Sequence, residues 1–157
     1  MINRRVTLGI YMLAIIGLAD QVSKWLVLER MGDVERTIPV TSYLNFVLVW
    51  NKGVTFGILS RIGQHYMPYI LVGIAAAILL LLGRWLWRTQ STLVALALGA
   101  IMGGAIGNVI DRLRYGAVAD FLDFHYHDYH WYAFNVSDAA IVSGVALLLI
   151  DGMVRGK

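Results

Sequence analysis

Asp120 and Asp138 are the acids whose setting best suits hydrolytic chemistry. Asp120 stands in "YGAVADFLDF", a stretch too apolar for a fully solvated loop and therefore expected to fold back onto the rest of the chain. Asp138 stands in "FNVSDAAI", at the head of a long apolar run. Two carboxyls brought close together do not both ionise cheaply: one keeps a proton while the other stays charged. Such a pair holds a general acid and a general base side by side. The charged member takes a proton from water, the protonated member polarises an amide carbonyl, and the roles exchange when the amine leaves. Neither a metal nor a covalent intermediate is needed. The same spacing also allows a structural role, in which Asp120 or Asp138 pairs with Arg112 or Arg114 to hold the loop.

Other polar residues compete with or support this pair. Asp111 is followed directly by Arg112, which suggests a salt bridge or a solvated charge. Asp123 falls on the opposite face from Asp120 if the stretch is extended. Asn108, one helical turn before Arg112, and Asn135, three residues before Asp138, either hold carboxylates in place or cap helix ends. Asp20 and Lys24 stand four apart, so on a helix they share a face and form a pair, or anchor the segment around Asn51. His125, His127, Asp128 and His130 lie close together, yet their spacing matches no standard zinc motif, and no HExxH occurs. A serine–lysine hydrolase would need Ser23 and Lys24, but adjacent residues point to different faces of a helix. No metal and no cofactor are expected.

The elements that must position these residues are membrane spans. Hydrophobic residues make up 59% of the 157 and charged ones only 15%, far from the soluble average. Four stretches, about 7–28, 66–83, 91–110 and 132–150, reach the length needed to cross a hydrocarbon core. The opening "MINRR" and the apolar run behind it have the shape of a secretory signal, but the run continues past Asp20 through Leu28 and reads as a retained first span. Arg4, Arg5, Arg84, Arg88, Arg155 and Lys157 crowd into the short segments on one side, which places both termini in the cytoplasm and the two longer connections outside. The formal charge of +3 is small and follows the span ends, so nucleic acid is not an expected partner and membrane lipid is. The chain has no cysteine, which excludes disulfides and thiolate chemistry.

Within this frame, Thr37 to Leu59 is rich in β-branched and aromatic residues and is broken by Asn51-Lys52-Gly53, so it reads as a hairpin or small sheet. The third span carries Gly99, Gly103 and Gly107 at four-residue spacing, with Ala95, Ala100 and Gly104 nearby, a device for close helix approach. The expected fold is an α-helical membrane protein: four transmembrane helices with a small extracytoplasmic β-hairpin or sheet between the first and second. It forms one domain over 1–157 and is expected to act as a monomer.

"ADQVSKW", "WNKGVTFG", "GGAIGNVIDRLRYGAVADFLDF" and "FNVSDAAI", taken together and in this order, resemble the lipoprotein signal peptidase family, also called signal peptidase II. The resemblance covers nearly the whole chain. It implies an aspartic endopeptidase of the bacterial inner membrane that removes the signal peptide from prolipoproteins, cutting before a cysteine that already bears diacylglycerol. By position, Asp120 and Asp138 resemble the catalytic pair. Asn108, Arg112 and Asn135 resemble residues that line or support the site; Asp20, Lys24 and Asn51 resemble residues that brace the outer region, and Gly104 is placed with the supporting set. Two positions depart from the family pattern: Ser137 stands where alanine is more usual, and Ala119 where valine is. The hydroxyl of Ser137 is thereby expected beside the pair.

Overall fold

The computed structural model of the protein describes residues 3–32, 37–53 and 65–155, and four helices dominate it. Helix α1 (Arg4–Met31) starts where the Asn3 side chain accepts a hydrogen bond from the Arg5 amide at 3.1 Å, and it stops at Gly32, whose φ of 60° lies in the left-handed region. Helix α2 (Met67–Arg88) has proline in its first turn, where the missing N–H is no loss. Helix α3 (Thr92–Tyr115) is capped by the Ser91 side chain and ended by Gly116 at φ 73°. Helix α4 runs over Val136–Arg155. All four are long and apolar enough to cross a membrane.

Helix α3 is the hub of the bundle. Its buried residues recur along its length, whereas α2 buries only Met67, Pro68 and Leu86 and turns Ile74, Ile78, Leu80 and Leu81 outward, as a lipid-facing helix should. Small residues on α3 make the packing possible. A β-carbon added at Gly103 would lie 2.6 Å from the Leu13 carbonyl oxygen of α1, and one at Gly104 would lie 2.5 Å from the Ser137 carbonyl oxygen of α4. These glycines therefore bring α1 and α4 against neighbouring faces of α3 at backbone contact.

At one end of the bundle sits a four-stranded antiparallel sheet, ordered β1 (Ile38–Thr41), β2 (Leu44–Asn51), β3 (Val118–Tyr126) and β4 (Tyr129–His130). This extends the expected hairpin. Only β1 and β2 come from the connection between α1 and α2; β3 and β4 come from the connection between α3 and α4. The start of β3 is buried on both faces, through Val118, Ala119 and Phe121, which is what drew that apolar stretch onto the bundle. The β1–β2 turn falls at Ser42 and Tyr43. Asn51-Lys52-Gly53 instead closes β2, with Gly53 at φ 73° and its amide donating to the Asn51 side chain at 2.8 Å. The part of the expected hairpin after Gly53, 54–59, lies outside the described residues.

The fourth span starts later than its apolar run suggests. Phe134 pairs with Leu122 of β3, exchanging hydrogen bonds at 2.8 and 3.0 Å, which keeps 132–135 extended and delays the helix to Val136. The third span continues beyond 110 because Asp111, Arg112 and Arg114 remain helical to Tyr115. At the far end, Arg5 of α1 donates to Gln90 between α2 and α3 at 2.6 Å, so Arg5 lies with Arg88, in the last turn of α2, at the end away from the sheet.

Candidate active site

Asp120 reaches the sheet end of the bundle on β3, opposite Val49 of β2, and is only 2% exposed. Two amides hold its carboxyl. Asn51, the last residue of β2, donates to Oδ2 at 2.9 Å, and Asn135 donates to Oδ1 at 2.6 Å. Asp138 lies in the first turn of α4 and meets the same Asn135 from the other side. The Asp138 amide donates to Asn135 Oδ1 at 2.9 Å, and the Asn135 amide donates to Asp138 Oδ2 at 3.3 Å. This reciprocal pairing is a capping box, with an aspartate as its acidic member. Asn135 thus caps α4 and bridges both carboxyls at once, so the two roles open from sequence are combined in one residue.

Asn108 of α3 completes the shell. Its amide nitrogen donates to Asp138 Oδ1 at 2.9 Å, and its oxygen accepts from Lys24 at 3.1 Å and from Asn135 at 3.3 Å. Arg112, one turn further along, donates to the Asn108 backbone carbonyl at 3.2 Å. Among the described residues it forms no ion pair with Asp120 or Asp138, and neither does Arg114, so the structural alternative of a carboxylate–arginine clamp is not the one adopted.

A second polar cluster lies beneath. Lys24 of α1 bridges Asp20 and Asp111, each at 2.8 Å, and all three side chains are almost fully buried. The expected Asp20–Lys24 pair is present, but these residues do not anchor Asn51. Asp20 instead accepts from the Ser137 amide at 2.9 Å, fixing the start of α4, while Asn51 serves Asp120 directly. Asp111 is neither solvated nor paired with its neighbour Arg112. It takes Lys24 and also accepts from the Ala119 amide at 3.2 Å, tying β3 to α3. Gln21, passed over in the sequence, donates to Asp111 at 3.0 Å and to Asp20 at 3.3 Å. Its signal was a polar amide beside two charges near the end of an apolar span. Gly107 leaves room for this cluster, since a β-carbon there would collide with the Asp20 carboxylate and the Ser137 hydroxyl. That hydroxyl is buried without a hydrogen-bond partner among the described residues, so it makes no hydrogen bond to Asp120 or Asp138.

The electrostatics separate Asp120 from an ordinary acid. Burial is the largest influence and pushes its pKa up, and the neighbouring charge of Asp138 acts in the same direction. Hydrogen bonds from Asn51 and Asn135 oppose the shift without cancelling it, leaving Asp120 at about 6. It opens into a groove of about 790 Å³ between the sheet and 131–133, lined also by Val49, Asn51, Trp131 and Tyr132.

Asp123 shares that groove but is otherwise engaged. Burial would raise its pKa, yet hydrogen bonds from Asn45 at 3.0 Å and from His130 at 2.8 Å hold it below the usual range. His125 stacks on His130 with ring centroids 5.2 Å apart. Among the described residues no three histidine or acidic side chains converge to hold a metal ion.

A family model described as signal peptidase (SPase) II matches residues 12–154. A curated protein from Methylocella silvestris named lipoprotein signal peptidase is 42% identical over 151 residues, covering 96% of this chain and 88% of the relative. Its counterpart by name from Rhodopseudomonas palustris is 44% identical over 159 residues, covering 95% and 93%. A solved structure described as a bacterial membrane enzyme matches with a TM-score of 0.78 at 26% identity, covering 95% of this chain and 91% of that one.

Proposed function

The chain is a multi-pass membrane peptidase belonging to the signal peptidase II family, and on that premise we propose that it removes the signal peptide from prolipoproteins by activating water on Asp120 and Asp138. The observation that carries this reading is Asn135, which touches both carboxyls and is itself fixed as the cap of α4. Asn135 thereby joins β3 to the start of α4 through one hydrogen-bonded residue.

In this mechanism Asp120, whose proton affinity is raised, is the acid, and Asp138 is the base. Water between them loses a proton to Asp138 as its oxygen attacks the scissile carbonyl carbon, and Asp120 donates its proton to the carbonyl oxygen. Asp138 then passes its proton to the departing amide nitrogen, Asp120 recovers one from the hydroxyl of the collapsing intermediate, and a carboxylic acid and an amine are released. Substrate seated over the groove excludes bulk water and raises the proton affinity of Asp120 further. The bond cut is the one before a cysteine bearing diacylglycerol. Acyl chains in the bilayer and the apolar signal helix set the depth of that bond, so specificity comes mainly from holding the dyad at the matching depth.

The chain acts in the bacterial inner membrane as a single domain and a monomer, with its termini in the cytoplasm and the sheet outside; the basic residues gathered at the opposite end support that orientation. The test is incubation of the purified protein with a diacylated prolipoprotein and with its unlipidated form. Loss of the signal peptide from the first alone is expected. Equal cleavage of both would remove the lipid from the recognition scheme, and cleavage of neither would remove the function.

A further inference from the structure

On the flank of the sheet end, away from the groove of Asp120, a second pocket of about 420 Å³ opens between the start of α2 and the end of α3. Lys52, His65, Arg112 and Arg114 line it, together with Pro68 and Tyr69. Among the described residues no acidic side chain lines it. Among the described residues neither Lys52 nor Arg114 forms an ion pair; Arg114 lies 5.1 Å over the ring of Tyr115 instead. The sequence sharpens the imbalance, because no aspartate or glutamate occurs between Glu35 and Asp111. Strand β2, helix α2 and everything between them therefore carry no acid; Arg112 feels the charges of Asp138, Asp120 and Asp111 from outside that stretch, which leaves Lys52 and Arg114 as the cations without an ion pair among the described residues. Converging cations repel, and such an arrangement is eased by a bound anion.

Position identifies the anion's source. The pocket lies where two membrane helices end, among aromatic residues of the kind that settle at headgroup level: Trp50 packs on Tyr115 at 5.2 Å, and His65 packs on Tyr66 at 5.4 Å. These cations also sit at the end opposite Arg84 and Arg88, so they are not part of the basic cluster that sets orientation. We propose that this pocket binds the phosphate group of an anionic phospholipid in the leaflet that meets the sheet. Arginine and lysine give it the fork and the point charge that phosphate recognition uses. Because Arg112 also donates to the backbone of Asn108, a lipid held there would abut the helix turn that supports Asp138.

The experiment is native mass spectrometry of the full chain, released from bilayers containing equal phosphatidylglycerol and phosphatidylcholine. Wild type should retain the anionic lipid over the zwitterionic one by about tenfold, a few-fold for each cation engaged. Lys52→Gln with Arg114→Gln should lose most of that preference, and Lys52→Arg with Arg114→Lys should keep it. Arg84→Gln with Arg88→Gln, which removes the same charge at the far end, should also keep it. Equal retention of both lipids by wild type, an unchanged preference in the Lys52/Arg114 glutamine variant, or an equal loss in the Arg84/Arg88 variant would each overturn the proposal. Lipid-free protein that takes up inorganic phosphate as tightly as the lipid would overturn the lipid as the source.

Discussion

Two pairs of carboxylates lie at the sheet end of the bundle, and they differ in what faces them. Asp20 and Asp111 share Lys24, with both contacts at 2.8 Å and every member buried. Asp120 and Asp138 form no ion pair among the described residues and take their hydrogen bonds from amides of Asn51, Asn108 and Asn135. A buried cation between two acids compensates their charge, so that removing one member leaves the others buried without a partner. Amides satisfy the oxygens of an acid without fixing its charge, so a proton can come and go. The first pair is a structural clasp joining α1, α3, β3 and α4; the second is free to exchange protons. Similar residues at similar depth thus differ in whether a lysine bridges them, and it is the pair without that bridge that we propose for the chemistry.

The sharpest way to break this comparison is to exchange carboxyl for amide in the second pair. Asp120→Asn and Asp138→Asn should each lower processing by about a thousandfold or more, within the span of general acid–base effects, while the protein still inserts and gives a wild-type circular dichroism spectrum. Activity within tenfold of wild type in either variant would refute the assignment. The clasp should respond the other way. Lys24→Met strands two buried carboxylates and should cost about 3–5 kcal/mol of stability, read as a lower midpoint in a detergent unfolding titration. A variant that unfolds at the wild-type midpoint would mean the clasp holds nothing together.

Protonation gives a finer test. Because Asp120 titrates at about 6 in the folded protein, above the ordinary value of about 3.9 for a free aspartate, the folded state binds this proton more tightly than the unfolded state. Its contribution to stability is therefore complete below about pH 4 and is lost as pH rises through about 6. The proton needed for catalysis is lost over the same upper range, so kcat/KM should fall on an alkaline limb near pH 6. A profile flat from pH 5 to 8 would contradict Asp120 as the acid. The smallest expected effect belongs to Ser137, whose buried hydroxyl lacks a partner among the described residues. Ser137→Ala should raise stability by about 1 kcal/mol with kcat unchanged; a clear loss of kcat would show the hydroxyl to be engaged during turnover.

The amide shell and the clasp were unequally legible in the sequence. The asparagines were visible because each stands a helical turn or less from a charged residue, and their two possible duties could be stated in advance. That Asn135 performs both at once depends on Phe134 pairing with Leu122, a contact between segments that local pattern does not encode. Asp111 was misjudged for the same reason. Beside Arg112 it resembles a local ion pair, yet a helix points adjacent residues to different faces, and Lys24 from another helix was the partner. Gln21 stands within "ADQVSKW" beside Asp20, but an uncharged amide there drew no reading of its own.

By itself the sequence determined the four spans, through the length and continuity of their apolar runs, and the close helix contacts, through the glycine stripe of the third. It also located the acids at one end, because charge is excluded from the hydrocarbon. Which acids meet which partners was decided by tertiary structure alone. Two connections far apart in the chain had to join in one sheet before β3 could carry Asp120 to the cap of α4. The physical reason is that span formation follows summed transfer energy along the chain, whereas a hydrogen bond or ion pair depends on ångström-scale distances between segments that only the packed bundle sets.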